Sequence, residues 1–141
     1  MSRSITSHMV NPANDSITIT VLDEPGSGGA NHAYVVGPYS IHANPSIGAI
    51  EAFAAAQSEE GCQSHWPVVF QNGPIAESGI NGLTPEILLA ILIDRLEGFQ
   101  SGPYASADNA EALTSLQIAQ TALQRRTRER MARGVEGTHQ V

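Results

Sequence analysis

An almost uninterrupted apolar run most strongly constrains how this chain can fold. Residues 87–96 (ILLAILIDRL) hold only Asp94 and Arg95 as charged side chains. The triplet Thr84-Pro85-Glu86 precedes the run as an N-cap, a first-turn proline and a first-turn acid, which predicts that a helix begins there. A helix that is apolar on nearly every face must be covered on most sides. One more helix in a chain of 141 residues cannot easily do this, so the run predicts self-association.

A second helix is predicted after the loop 100–107, which contains Gly102 and Pro103. Ser106 or Asp108 can cap its start, and Gly134 is placed to cap its end. Two helices joined by a short loop form an antiparallel αα-hairpin. The second helix carries an apolar stripe at three-to-four-residue spacing, which includes Leu113, Leu116, Leu123 and Met131.

The N-terminal half has the pattern of an irregular β region. Ile17–Leu22 alternates β-branched residues with threonine, and Ala33–Ile41 predicts a second strand interrupted at Gly37-Pro38. Trp66–Gln71 resumes strand character, and Asn72-Gly73 predicts a hairpin turn into a return strand at Pro74–Glu77. A short alanine-rich helix is predicted over 47–57.

The predicted fold class is therefore α+β: a small, irregular N-terminal β region followed by the antiparallel hairpin, assembled as a homo-oligomer. The predicted divisions are a polar, flexible segment 1–16, a β-rich region 17–82, the helical hairpin 83–134 and a tail 135–141.

Charge is distributed very unevenly along the chain. The net charge is −7, yet residues 125–141 hold five arginines against two acids, and the chain contains no lysine. The acidic remainder disfavours binding to DNA or to an anionic membrane. Arg126, Arg130 and Arg133 share one helix face, and the guanidinium fork matches phosphate. The alternative is a solvated helix end, in which Arg125 pairs with Glu129.

Two residue types near the interhelical turn are typical of nucleobase recognition. Phe99 and Tyr104 flank the turn, and aromatic faces stack bases. Asn109 can hydrogen-bond an adenine edge. Packing of the aromatic rings on the core and capping of the helix by Asn109 are the competing interpretations.

Motifs of catalysis and of metal binding are weak. The five histidines are scattered, and Cys62-x-x-His65 lacks the second pair that a tetrahedral zinc site needs. Gly26–Gly29 is not followed by the Gly-Lys-Ser/Thr of a phosphate-binding loop. We therefore expect a non-enzymatic protein without metal or cofactor. The absence of a long apolar run or a signal-peptide pattern predicts a soluble, intracellular protein.

The segments FQNGPIAESGINGLTPEILLAILIDRLEGFQSGPYA (70–105) and DNAEAL…RRTRERMARGVEGTH (108–139) resemble the hairpin domain of two kinds of phage-encoded sponge. One kind traps cyclic ADP-ribose isomers and counters Thoeris immunity. The other traps cyclic di- and trinucleotides and counters cyclic-oligonucleotide (CBASS) immunity. The β region before the hairpin makes this chain more similar to the Thoeris type. The segment 44–65 is not part of the resemblance, and its role stays open.

The resemblance implies a site and an assembly. Phe99, Asn109, Arg126 and Arg130 match the residues that contact the nucleotide in this family. Family members form dimers that associate into hexamers, which implies a homo-oligomer here. Asn109 and Arg126 are seventeen residues apart, or about 25 Å along one helix. A pocket lined by all four residues must therefore be assembled from two chains.

The function expected from sequence is sequestration of a cyclic nucleotide signal, such as glycocyclic ADP-ribose, in the cytoplasm of the bacterial host during phage infection. A sponge for cyclic di- or trinucleotides, acting at a second site, is one alternative. A structural or host-protein-binding phage protein without a ligand is another. A nuclease or phosphodiesterase is disfavoured by the lack of a catalytic constellation.

Overall fold

The computed structural model describes residues 2–26, 29–57 and 68–141. In chain order its elements are β1 (Arg3–Ile5), β2 (Thr18–Val21), β3 (Tyr34–Gly37), α1 (Ile47–Ala56), α2 (Ile75–Ser78), α3 (Pro85–Gln100) and α4 (Ala107–Ala132). Contacts divide the chain into one unit of Met1–Pro38 with Pro85–Glu136, and a second of Tyr39–Thr84 with Gly137–Val141. The chain is thus α+β, with a small sheet and a helical hairpin.

Strand β2 is the centre of an antiparallel three-stranded sheet. It pairs with β1 on one edge and with β3 on the other. Alternation places Ile19 and Val21 on one face, where both side chains are fully buried. The strand predicted over 17–22 is confirmed. The second predicted strand is confirmed for Tyr34–Gly37 and ends before Pro38, which has no N–H for the ladder.

The N-terminal segment differs from the flexible stretch that its polar composition predicts. Strand β1 lies within it, and both Ile5 and His8 are buried. The Nε2 atom of His8 lies 2.8 Å from the carbonyl oxygen of Ile17, and the Asp15 carboxylate accepts hydrogen bonds from two backbone amides. Two buried side chains and local side-chain-to-backbone bonds order a segment that has no long apolar pattern.

A polar cluster ties β1 to helix α3 of the same unit. The guanidinium of Arg3 lies 2.9 Å from the Asp94 carboxylate and donates a second bond, of 2.7 Å, to Asn31. The Tyr34 hydroxyl also donates to Asp94, at 2.8 Å. Burial, followed by this bond to Asp94, raises the pKa of Tyr34 to about 12. Asp94, which interrupts the apolar run of α3, therefore binds the N-terminal strand β1 to this helix.

The described residues of the second unit are organised by asparagine side chains. Asn44 and Asn81 are almost completely buried. The Asn44 amide donates to Phe70 O and to Asn81, while the Asn81 amide donates to Asn72 O at 2.9 Å. Side-chain amides thereby satisfy backbone groups that a sheet ladder would otherwise pair.

The prediction of a β-rich region as far as residue 82 is wrong for its second half. Among the described residues of 39–82, the only β pairing is an isolated bridge from Phe70 to Leu83. The predicted return strand after Asn72-Gly73 is instead helix α2. The helix predicted over 47–57 is confirmed as α1. The predicted strand Trp66–Gln71 lies partly outside the described residues.

The predicted helical hairpin is confirmed. Helix α3 begins at Pro85 and buries Ile87, Ala90 and Ile93 at three-residue spacing. Helix α4 packs on it through a half-buried stripe. No residue of α4, all of which is described, is buried, and Ile118 is 66% exposed. The stripe comprises Leu113, Leu116, Ala119, Leu123 and Thr127.

Gly98 lets helix α3 approach the loop after β2 closely. A Cβ atom at this position would lie 2.8 Å from the Cα atom of Ala30 and 3.0 Å from Gly29 O. We expect Gly98→Ala to lower the free energy of unfolding by about 1–3 kcal/mol, because backbone atoms must shift. Gly48→Ala is the matched control: its Cβ meets nothing within 4 Å, and alanine favours a helix. Thermal unfolding that is unchanged in Gly98→Ala would contradict the close approach.

Candidate functional site

The turn end of the hairpin carries Phe99 and Asn109 on a loop organised by Gln100. The Gln100 amide donates to Ser106 O at 3.2 Å and accepts from Ser106 N at 3.0 Å. The Ser106 hydroxyl accepts from the backbone N–H of Asn109 and caps α4, as predicted. These bonds connect the end of α3 to the start of α4 across the turn.

Asn109 is oriented by the same turn. Its Nδ2 atom donates to the carbonyl oxygen of Tyr104 at 3.2 Å, and its side chain is partly exposed. The cap of α4 is Ser106, so Asn109 is not itself the cap. An amide that is oriented by one bond can still offer its carbonyl oxygen and its second amide proton to a ligand. The arrangement is compatible with recognition of a base edge.

Phe99 is half-buried, and the guanidinium of Arg95 lies over its ring. The guanidinium carbon of Arg95 lies 5.4 Å from the ring centroid, and Arg95 also donates to Asn31 O. This cation–π contact fixes the ring at the end of α3. Tyr104, the other aromatic residue of the turn, is 61% exposed. A base that stacks on Phe99 would use ring surface that Arg95 does not cover.

The other end of the hairpin carries Arg126 and Arg130. Arg126 lies 3.5 Å from the Glu86 carboxylate in the first turn of α3, and its side chain is 62% exposed. Arg130 lies 2.9 Å from the Glu136 carboxylate and is 23% exposed. The antiparallel packing of α3 and α4 explains the first pair, because it sets the start of α3 beside the end of α4. Both arginines are thus paired with a carboxylate in the single chain.

The four predicted residues form two pairs that the single chain keeps apart. Asn109 lies in the first turn of α4 and Arg126 near its last turns, about 25 Å away along the helix axis. The structure brings Phe99 and Asn109 to one end of the hairpin and Arg126 and Arg130 to the other. The carboxylate partners Glu86 and Glu136 were missed by the sequence analysis.

Two negative findings apply to the part of the chain that the structure describes. It contains no group of three or more His, Cys, Asp or Glu side chains that could hold a metal ion. Cys62 and His65 lie outside the described residues. Among the described helices, none is long and apolar enough to cross a membrane.

The sequence of the hairpin region matches a known family model. Residues 67–128 match the family model described as the Acb2/Tad1 hairpin domain. The match covers 62 of the 141 residues, which is less than half of the chain. The resemblance of this region to the hairpin domain of the sponge family is thereby confirmed. Phe99, Asn109 and Arg126 lie inside the matched residues of the hairpin domain, and Arg130 lies just beyond them.

One curated relative is similar over about half of the chain. It is "Thoeris anti-defense 1" of Bacillus phage SBSphiJ7, which is 48% identical over 73 residues. The similarity covers 52% of this chain and 51% of the relative. The chain thus spans about half the length of the curated relative that it matches. The shared part is of the size of the hairpin domain.

Proposed function

We propose that this protein sequesters a cyclic nucleotide immune signal, in particular a cyclic ADP-ribose isomer such as glycocyclic ADP-ribose, and so blocks Thoeris defence in the cytoplasm of the infected host. The observation that carries the proposal is the hairpin domain, with two arginines on one helix face and an aromatic ring and an amide at the turn. The name of the relative supports the anti-defence role.

The proposed mechanism needs no chemical step. Arg126 and Arg130 neutralise the phosphates through charge-assisted hydrogen bonds. Phe99 stacks an adenine, and Asn109 reads its edge. Nanomolar affinity corresponds to about −12 kcal/mol. Exclusion of water from the pocket strengthens the hydrogen bonds of the arginines to the phosphates, which contributes to this binding free energy.

A second copy of the chain completes the pocket in this proposal. The turn residues and the arginines are too far apart in one chain for a ligand of this size to bridge. Apolar surface is available for association, since Leu92 of α3 and Ile118 of α4 are 46% and 66% exposed. We propose a dimer that associates further, up to a hexamer, with native mass spectrometry as its measurement.

Calorimetry followed by heat release tests the proposal directly. We expect glycocyclic ADP-ribose to bind with nanomolar affinity, and we expect heating of the complex to release it unchanged, as judged by mass spectrometry. Recovery of hydrolysed nucleotide alone would replace the sponge by an enzyme. Lack of affinity for any cyclic nucleotide would favour the structural or host-protein-binding alternative.

The same calorimetry shows whether the protein binds one class of cyclic nucleotide or two. A cyclic trinucleotide is titrated alone and then into protein saturated with the cyclic ADP-ribose isomer. Binding only of the trinucleotide would support the anti-CBASS alternative. Independent binding of both ligands would show a second site on the oligomer.

A further inference from the structure

The C-terminal cap of α4 brings a carboxylate back onto the helix. Gly134 has φ +70°, a conformation that glycine adopts without strain, and its N–H donates to Met131 O. The N–H of the next residue, Val135, donates to Arg130 O at 3.0 Å. These two bonds form a Schellman motif, which reverses the chain at the helix end. The reversal places Val135 and Glu136 against the last turn, beside Arg130.

Arg130 is held by this returning segment at two atoms of its guanidinium. Its Nε–H donates to the Glu136 carboxylate at 2.9 Å, and its Nη2 donates to Val135 O, also at 2.9 Å. Only 23% of the Arg130 side chain and 22% of the Glu136 side chain are exposed. Arg126, by comparison, is 62% exposed and lies 3.5 Å from its carboxylate. The two arginines on the same face are therefore ordered to different degrees.

We propose that Glu136 is a positioning residue for ligand binding: it fixes the plane of the Arg130 guanidinium before the anion arrives. This inference rests on the proposed function, in which Arg130 contacts a phosphate of the trapped nucleotide. An unrestrained arginine loses much rotamer freedom when it binds, and an arginine that is already fixed loses less. The Glu136 carboxylate binds the Nε edge of the Arg130 guanidinium. It therefore holds the planar guanidinium in one orientation toward the ligand.

The opposite role for Glu136 is that of a competing anion. A carboxylate that must leave before phosphate can bind would weaken the complex, and its removal would tighten binding. The two roles predict opposite signs for the same substitution. We assign the positioning role because Val135 O and the Schellman cap hold Arg130 together with Glu136, so that the contact belongs to the helix end.

Calorimetry with glycocyclic ADP-ribose on three variants tests the assignment. We expect Glu136→Ala to raise Kd about tenfold, because the guanidinium loses the Nε–H bond that fixes its plane and must be ordered further on binding, even with Val135 O in place. Glu136→Gln keeps an acceptor oxygen for the Nε–H and is expected to stay within about threefold of the parent protein. Glu129→Ala, which removes the same charge from the same end of α4, is the matched control and should bind like the parent.

Each other outcome has a defined meaning. A Kd for Glu136→Ala that equals the parent value, or is lower, would overturn the positioning role while the proposed function stands. A parent protein that binds none of the cyclic nucleotides would overturn the proposed function itself. Equal losses for Glu136→Ala and Glu136→Gln would also contradict the assignment, since a retained acceptor should rescue binding. Thermal unfolding of each variant checks that it remains folded.

Discussion

Alanine in place of Arg126 is expected to raise the Kd for glycocyclic ADP-ribose by roughly 100-fold or more. The loss of one charge-assisted contact to a desolvated phosphate costs about 3 kcal/mol, which corresponds to this factor. Arg126 is exposed in the single chain, and its Glu86 contact is long, at 3.5 Å. We therefore expect the substitution to affect binding far more than folding, and native mass spectrometry should show an unchanged oligomer.

Arg128→Ala is the matched control for this prediction. It removes the same charge two residues away, and residues two apart on a helix do not face each other. We expect calorimetry to show near-parental affinity for Arg128→Ala. Equal losses of affinity for Arg126→Ala and Arg128→Ala would mean that the arginine cluster acts only through its net charge. Dissociation of the oligomer by Arg126→Ala would mean that this arginine is structural.

Mixing two inactive variants is expected to restore binding. In the proposed pocket, one chain supplies the turn half (Phe99 and Asn109) and the other chain supplies the arginine half (Arg126 and Arg130). Asn109→Ala damages the turn half, and Arg126→Ala damages the arginine half. In a mixed dimer, the intact turn of one chain meets the intact arginines of the other, so that one of two pockets is of parental type. Random pairing of equal amounts should therefore restore about a quarter of the binding sites in a symmetric dimer. The stoichiometry from calorimetry on co-refolded chains measures this fraction.

A second mixture controls for effects of mixing itself. Arg126→Ala and Arg130→Ala both damage the same half, so no pairing of these chains yields an intact pocket. We expect this mixture to restore no sites. If native mass spectrometry shows mixed dimers of Asn109→Ala and Arg126→Ala without any recovered binding, the pocket is not shared between chains in the proposed way.

The contacts of the two arginines show how closely the site depends on the ends of the helices. Glu86 reaches Arg126 because α3 and α4 run antiparallel, and Glu136 reaches Arg130 because Gly134 ends α4 in a Schellman motif. Both partners follow from features that the sequence does signal: the cap at Gly134 and the first-turn acid at Glu86.

By itself, the sequence determined the helical hairpin, its start at Pro85 and its end near Gly134, and it narrowed the cap of the second helix to Ser106 or Asp108. It also determined the central strand and the resemblance of the hairpin region to a known domain family. These features depend on capping residues, on apolar periodicity and on strand alternation, which act between residues close in sequence. A short stretch of chain is enough to reveal them.

Only the tertiary structure decided the order of the N-terminal segment and the architecture of the described residues between 39 and 84. Arg3 meets Asp94 across ninety-one positions, and Asn44 meets Asn81 across thirty-seven. Hydrogen bonds between polar side chains so far apart leave no periodic trace, because a single residue at each end is sufficient.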